Sequence, residues 1–291
     1  MKIQKWLREN TSSLEGKTVA ISGSTGGIGQ ELCRHFASLG ASLIMLDRNT
    51  ERSHSLSEKL KSECPGLKTQ HIRLDLEDVS SVREVTEKLS SAPPDYLILN
   101  AGAYHIPRKA CALGYNNVFQ INYVSPYYMA KTLLPKIKEK GGRIVAVGSI
   151  AHTYSKVDTS DIDFSSRTKS SLVYGNAKRH LMYSLSALDE NTVAIAHPGI
   201  TFTNITAHYP KLIFAIIKHP MKVIFMKPRV ACLSIVKAMF SPLTKSSWWG
   251  PRIFDVWGKP KETALKRISE KEYRDILLTA DTVYKKMSDF K

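Results

Sequence analysis

Cysteine is scarce and scattered in this chain. Cys33, Cys64, Cys111 and Cys232 form no C-x-x-C pair and have no histidine at metal-ligand spacing, which argues against a disulfide framework and a zinc site and fits free thiols in a reducing compartment. Long apolar runs are also lacking: none approaches the roughly 18 residues of a spanning helix, and the nearest, Leu212-Ile213-Phe214-Ala215-Ile216-Ile217, is cut by Lys218. The basic N-terminal stretch is not followed by an apolar segment of signal-peptide length, so the expected location is the cytoplasm, with any membrane contact confined to the surface. There is no internal repeat and no Pro/Gly/Ser-rich linker. Acidic residues are outnumbered, 26 against 42 Lys and Arg, for a formal net charge of +16. That surplus attracts polyanions in general. Zinc-finger spacing, an aromatic RNA-binding signature and a dense Lys/Arg block are all missing, so nucleic acid is not an expected partner.

What is present suits one large α/β unit, with 43% hydrophobic and 23% charged residues in 291. Short apolar runs at 19–22, 42–46, 70–74, 96–99, 144–147 and 193–196, with another at 253–256, alternate with helical patterns. Such alternation predicts a doubly wound parallel sheet with helices on both faces. Its strands need not alternate polar and apolar residues, because both faces are covered. The expected organisation is a single domain: an N-terminal extension over 1–16, a dinucleotide-binding and catalytic core over 17–203, a substrate-covering insertion over 204–240, and a last strand with a helical tail over 241–291.

The sharpest local signal is Thr18-Val19-Ala20-Ile21-Ser22-Gly23-Ser24-Thr25-Gly26-Gly27-Ile28-Gly29, a β-rich run that breaks into glycines and opens a helix. Glycine lets backbone approach a phosphate closely, and a helix N-terminus offers unpaired N–H groups to the anion. The spacing is G-x-x-x-G-x-G rather than the commoner G-x-G-x-x-G. An ordinary strand-to-helix turn is the competing reading. At the end of the second strand, Asp47 could accept hydrogen bonds from the adenosine ribose and repel a 2′-phosphate, whereas Arg48 beside it could hold that phosphate. The residue before the second motif glycine is Gly26, not a basic one. NAD(H) is therefore expected ahead of NADP(H).

Tyr174-Gly175-Asn176-Ala177-Lys178 puts a phenol and an ammonium one helical turn apart on one face. A phenol with a pKa near 10 becomes a useful base only if a neighbouring positive charge favours its ionised form. A second such pair, Tyr127 and Lys131, also occurs. Only Tyr174 follows a strand that ends in a serine, Ser149, so Tyr127 and Lys131 are expected on a solvated face of the helix that holds Asn122.

Taken together, these motifs make the chain resemble the short-chain dehydrogenases/reductases with their Rossmann-type fold. Gly23, Gly27 and Gly29, with Ser24, Thr25 and Ile28 between and beside them, match that family's glycine motif. Asp75 and Leu76 match its adenine-contacting pair, and Asn100, Ala101 and Gly102 the motif that steadies the central strand. Asn122, Ser149, Tyr174 and Lys178 match its catalytic tetrad in order. Pro198 and Gly199, with Thr201 and Thr203, resemble the segment shaping the nicotinamide pocket. The likeness runs from about residue 17 to about 203 and is nearest to the retinol dehydrogenase-like branch, through Ser149-Ile150-Ala151-His152, Asp161-Ile162-Asp163-Phe164 and Trp249-Gly250-Pro251-Arg252-Ile253-Phe254. Departures are Asp47 before the arginine, Arg179 and His180 after the lysine, and a short stretch from Lys178 to the strand at Val193.

The resemblance implies hydride transfer between a nicotinamide and an alcohol or carbonyl carbon. Tyr174 would move the proton, Ser149 hold the oxygen, Lys178 lower the Tyr174 pKa and anchor the ribose, and Asn122 position a water. It also implies a homodimer. The stretch 209–228, apolar with interspersed lysines, is expected to cover a hydrophobic substrate such as a steroid, retinoid or fatty alcohol, and over 209–229 to touch a membrane surface weakly. The rivals are a sugar-nucleotide epimerase, disfavoured by the glycine spacing, and a non-catalytic, nucleotide-sensing interaction protein on the same scaffold.

Overall fold

The computed structural model describes residues 3–201, 226–242, 244 and 246–290. After helix α1 (Ile3–Asn10), strands β1 (Thr18–Ser22), β2 (Ser42–Asp47), β3 (Thr69–Arg73) and β4 (Tyr96–Leu99) alternate with helices α2 (Gly27–Ser38), α3 (Thr50–Glu63) and α4 (Val79–Ser91). A short turn, α5 (Asn117–Phe119), continues through a π-helical stretch, Gln120–Val124, into α6 (Ser125–Glu139). Then follow β5 (Arg143–Val147), α7 (Ser170–Ser186), β6 (Val193–Ala196), α8 (Pro228–Ala231), α9 (Leu233–Phe240), the strands β7 (Ser247–Ile253) and β8 (Trp257–Ala264), and α10 (Glu270–Ser288). The sheet order is β3-β2-β1-β4-β5-β6-β7-β8. Every pair is parallel except β7 with β8.

The central strands are apolar throughout because each feeds two cores. Ala20, Ile44, Leu97, Leu99, Ile144 and Ala146 face a layer containing α4, α6, α7 and α10. Val19, Ile21, Leu43, Met45, Ile98, Val145 and Val147 face one containing α2, α3 and α9. This is the pattern expected of a covered parallel sheet.

Two expectations are corrected. The run 253–256 is not the last strand: β7 ends at Ile253, and Phe254 and Asp255 take φ of 51° and 57° in the turn of an antiparallel hairpin to β8. Ile253-Phe254 and Val256 have strand-forming side chains, but pairing of Trp249 with Ala196 sets the strand earlier. Nor is the Tyr127 and Lys131 pair on a solvated face. Tyr127 is buried, and Lys131 lies 3.1 Å from Asp281 on α10, which packs across this helix. In the expected covering segment 204–240, α9 is buried against the sheet; residues 204–225 lie outside the described residues.

Arg179 and His180, odd in the sequence, are structural. Arg179 makes a two-pronged ion pair with Glu272 of α10 (2.7 and 2.8 Å) and also donates to the His152 carbonyl at 2.9 Å. His180 is fully buried between the rings of Phe119 and Tyr123. Burial tends to raise the Glu272 carboxyl pKa, but the hydrogen bonds from Arg179 and the Val157 N–H outweigh it and hold it low. Truncation by Glu272→Ala strands a buried guanidinium, so urea unfolding should show a loss of about 3 kcal/mol. A depressed carboxyl pKa gives stability that is full above the ordinary glutamate range and fades as acid protonates the group. The variant should therefore lack this part of the wild-type acid sensitivity.

Candidate functional site

At the carboxyl ends of β1, β4, β5 and β6 lies a cavity of about 440 Å³. The glycine loop forms one wall. Gly23 turns at φ 68°, and a Cβ there would meet the Ala101 Cα at 3.0 Å; a Cβ on Gly29 would fall 2.1 Å from the Gly23 carbonyl oxygen. Only glycine lets α2 start this close to β1. The helix N-cap is Gly26, which supplies no side-chain cap, so the first-turn N–H groups remain available beside the cavity. That opening fits an anionic pyrophosphate. Asn100 secures the loop from β4 by donating to the Ser22 and Gly23 carbonyls, each at 3.0 Å. The Ser22 hydroxyl accepts from the N–H groups of Asn100 and Ala101.

Asp47 is turned inward. Its buried carboxylate accepts hydrogen bonds from the Ser24 hydroxyl, the Thr25 N–H at 3.1 Å and the Thr25 hydroxyl at 2.9 Å. It thus braces the loop. Arg48 points outward with 71% of its side chain exposed, 3.9 Å from Glu77. Asp75 accepts from the Glu77 N–H at 3.1 Å in a tight turn, and Leu76 is buried with its carbonyl accepting from Ser125. None of these four lines the cavity.

The other wall brings together Ser149, Tyr174 and Lys178. Ser149 follows Gly148 at the end of β5, and its hydroxyl accepts from the Ala151 N–H at 3.2 Å. Gly148 is confined by Met182 of α7, whose sulfur would lie 2.9 Å from a Cβ there. Tyr174 and Lys178 project from the same side of α7. Burial pushes the Tyr174 phenol up to about 12, against a hydrogen bond with Ser149 that lowers it. Burial alone lowers the Lys178 ammonium to about 8. Its Nζ donates to the Val147 carbonyl at 2.8 Å and lies 5.7 Å from the centre of the Tyr174 ring. The phenol of the free protein is thus raised by burial, not lowered as expected from Lys178 one turn away.

Asn122 occupies the π-helical stretch, a device frequent at functional sites. It is fully buried and outside the cavity lining. Its amide donates to the Ala103 and Val118 carbonyls, each at 2.8 Å, and its Oδ1 accepts from the Ala103 N–H at 3.2 Å. The side chain has no spare N–H for a water. Gly102 keeps it close to the site: a Cβ there would sit 2.7 Å from Asn122 Oδ1 and 3.7 Å from Lys178 Nζ.

Pro198, Gly199 and Thr201 line the cavity floor, with Thr201 bridged to Met226. Thr203 lies outside the described residues, as do residues 209–225 of the expected lid. Sequence reasoning missed Tyr104, whose ring meets that of Tyr174 edge-on at 5.3 Å, although its position just beyond the Asn-Ala-Gly motif is a usable signal. It also missed the support under the floor. The buried His197 accepts from the Gly199 N–H through Nδ1 at 3.2 Å, which leaves the proton on Nε2, facing the Asp255 carboxylate at 3.5 Å. Its ring stacks on Trp248 at 4.0 Å. No pattern in the sequence links residues 58 positions apart in this way. His152 is buried against Trp248.

The sequence model of the family described as short chain dehydrogenase matches residues 17–160. A chloroplastic short-chain dehydrogenase of Brassica napus, TIC 32 A, is 30% identical over 219 residues, 68% of this chain and 68% of that protein. Retinol dehydrogenase 12 of Mus musculus is 28% identical over 203 residues, 66% of this chain and 64% of that one. Among solved structures, an uncharacterized protein from Mycobacterium paratuberculosis shares the fold with a TM-score of 0.75 at 23% identity, over 94% of this chain and 95% of that one. The glycine loop, the covered parallel sheet and these relatives lead to one conclusion: the chain belongs to the short-chain dehydrogenase/reductase family, has a retinol dehydrogenase among its relatives, and is an NAD(P)-dependent oxidoreductase.

Proposed function

We propose that the protein interconverts a hydrophobic alcohol and its ketone or aldehyde, with Tyr174 carrying the proton. The observation behind this reading is the convergence of Ser149, Tyr174 and Lys178 on one cavity beside the uncapped start of α2. A nicotinamide dinucleotide bound there supplies the hydride acceptor or donor. Tyr174 holds its proton through neutrality, the state needed to protonate a carbonyl oxygen during reduction, and Ser149 steadies that oxygen. Lys178 supplies positive charge behind the phenol and keeps donors free for ribose hydroxyls. Asn122 acts as a positioning residue, fixing the 102–103 backbone beside Lys178. The apolar character of the cavity walls, Val147, Ile150, Ala151, Tyr104 and Ile200, supports a hydrophobic substrate, and a retinol dehydrogenase among the relatives points the same way.

The preference for NAD(H) rests on an Asp47 carboxylate free to meet a ribose. Because that carboxylate is spent on Ser24 and Thr25, we infer that the protein accepts NADP(H) alongside NAD(H), with the exposed Arg48 as the discriminating group. A homodimer would have to form through a surface other than most of α7, which is buried from Gly175 to Leu185. Action in the cytoplasm, at a membrane surface, is the location that suits such a substrate.

Turnover of a panel of retinoid, steroid and fatty alcohols, with both dinucleotides, tests the assignment. Tyr174→Phe should lower kcat by about 100-fold or more while leaving dinucleotide affinity near wild type, and Tyr127→Phe should leave kcat close to wild type. An active Tyr174→Phe enzyme contradicts the reading. Binding of either dinucleotide without turnover of any alcohol or carbonyl would favour the non-catalytic sensor.

Cofactor titrations separate the two charged residues. Arg48→Ala should weaken NADP(H) and spare NAD(H), whereas Asp47→Ala should weaken both by loosening the loop. If Asp47→Ala instead reverses the preference, the carboxylate meets the ribose directly and this account of it fails.

The pH dependence has a defined sign. Reduction needs the protonated phenol, present up to about 12, and a cationic Lys178, which is lost above about 8. For reduction, kcat/KM should therefore hold through neutrality and fall on the alkaline side, with oxidation peaking at higher pH as the phenolate becomes accessible. Coincident optima for the two directions would contradict it.

A further inference from the structure

The turn between β7 and β8 carries the most exposed large apolar side chain described. Phe254 is 92% exposed, and Ile253 and Trp257 beside it are each 47% exposed. Phe254 and Asp255 both adopt left-handed backbone, a conformation that favours glycine or asparagine and strains a bulky side chain. A phenylalanine placed there is thus disfavoured twice, by its backbone and by its contact with water. Neither fold stability nor pairing of the hairpin accounts for it.

The rest of the hairpin has a consistent pattern. Ile253 lies opposite Trp257, and Gly250 opposite Lys261, so the alternation along β8 puts Trp257, Lys259 and Lys261 on one exposed face, with Ile253 at its apolar end. Arg252 is also exposed on the bulged edge of β7, and Lys266 and Arg267 follow β8. The two acidic residues of the hairpin are occupied elsewhere: Asp255 faces His197, and Glu262 accepts from the Ser247 hydroxyl. An apolar tip therefore stands on a cationic stem.

We propose that this hairpin docks the protein on an anionic lipid bilayer, with Phe254, Ile253 and Trp257 entering the interface and Lys259, Lys261 and Arg252 meeting headgroup phosphates. Aromatic side chains settle at the headgroup level, and basic residues near the surface add attraction that salt weakens. Lysines on an edge strand can also serve to block strand pairing, but that role gives no place to Phe254 and Trp257. The surplus of positive charge over the whole chain acts in the same direction. The hairpin turn also presses on the cavity floor: a Cβ on Gly199 would lie 2.6 Å from the Val256 carbonyl oxygen, and Asp255 supports His197 beneath Pro198. Docking by this tip would hold the site next to the bilayer, the phase in which a lipid-like alcohol resides. The inference goes beyond the proposed reaction and does not depend on it.

The test is co-sedimentation of the full chain with vesicles of phosphatidylcholine alone and of equal parts phosphatidylcholine and phosphatidylserine, at low and high salt. Wild type should bind the anionic vesicles, and binding should weaken with salt. The double variant Phe254→Gly with Trp257→Ser should bind roughly tenfold or more weakly, as should Lys259→Glu with Lys261→Glu. Phe254→Gly relieves the left-handed backbone, so its Tm should not fall, which separates lost docking from lost folding. Absence of wild-type binding at low salt overturns the proposal. So does binding that survives the hairpin variants but is lost with Lys218→Glu and Lys222→Glu, because the contact then lies elsewhere in the chain. A dimer in solution that the hairpin variants dissociate would assign the face to a second copy and likewise overturn it.

Discussion

A lysine ammonium taken out of water sets the terms for everything at the cavity. Lys178 is 2% exposed, and among the described residues its one hydrogen bond is to the Val147 carbonyl. An ammonium has three donors, so two remain to be satisfied from the cavity side. Burial makes that charge unstable enough to lower its proton affinity to about 8, and the same burial raises the Tyr174 phenol to about 12. The two groups are therefore pushed toward neutrality together in the free protein. Hydroxyl groups arriving within reach of the ammonium would restore its charge, and a stronger charge would favour the phenolate. Pairing of titratable groups whose environments shift them in opposite directions is a feature of working acid/base sites.

The surrounding fold serves to hold those two side chains still. β5 delivers the Val147 carbonyl and Ser149, and α7 delivers the phenol and the ammonium one turn apart. Met182 of α7 against Gly148 fixes the distance between the two elements. The π-helical turn at Asn122 ties the end of β4 to the start of α6 beside them. Further out, the ion pair of Arg179 and Glu272 fastens α10 and the 152–157 loop onto α7. A residue that departs from the family pattern thus contributes to the scaffold rather than to the chemistry.

Legibility in the sequence followed the range of the interaction. The glycine loop, the first six strands and the pairing of Tyr174 with Lys178 are local patterns, and each was readable because its physical cause lies within a few residues. Placing Tyr174, and not Tyr127, beside Ser149 needed only the order of a strand and a helix. What escaped depended on contacts distant in the chain. Trp249 pairing with Ala196 shifted β7 toward the N-terminus and turned the run at 253–256 into a hairpin tip. Tyr127 left the solvent because α10, more than a hundred residues later, covers it. Asp47 stands where a ribose-binding carboxylate would, yet the hydroxyls of Ser24 and Thr25 claim it, and sequence position alone could not show which way it faces. His197 and Asp255 meet through folding alone.

The most direct measurement is the titration of Lys178 itself, followed by NMR of the labelled lysine Cε in the free protein and assigned by its loss in Lys178→Met. The account predicts a midpoint near pH 8, set by burial. A midpoint at the ordinary lysine value of 10.5 would mean that the ammonium is solvated, and would contradict the claim that a buried charge behind Tyr174 organises the site.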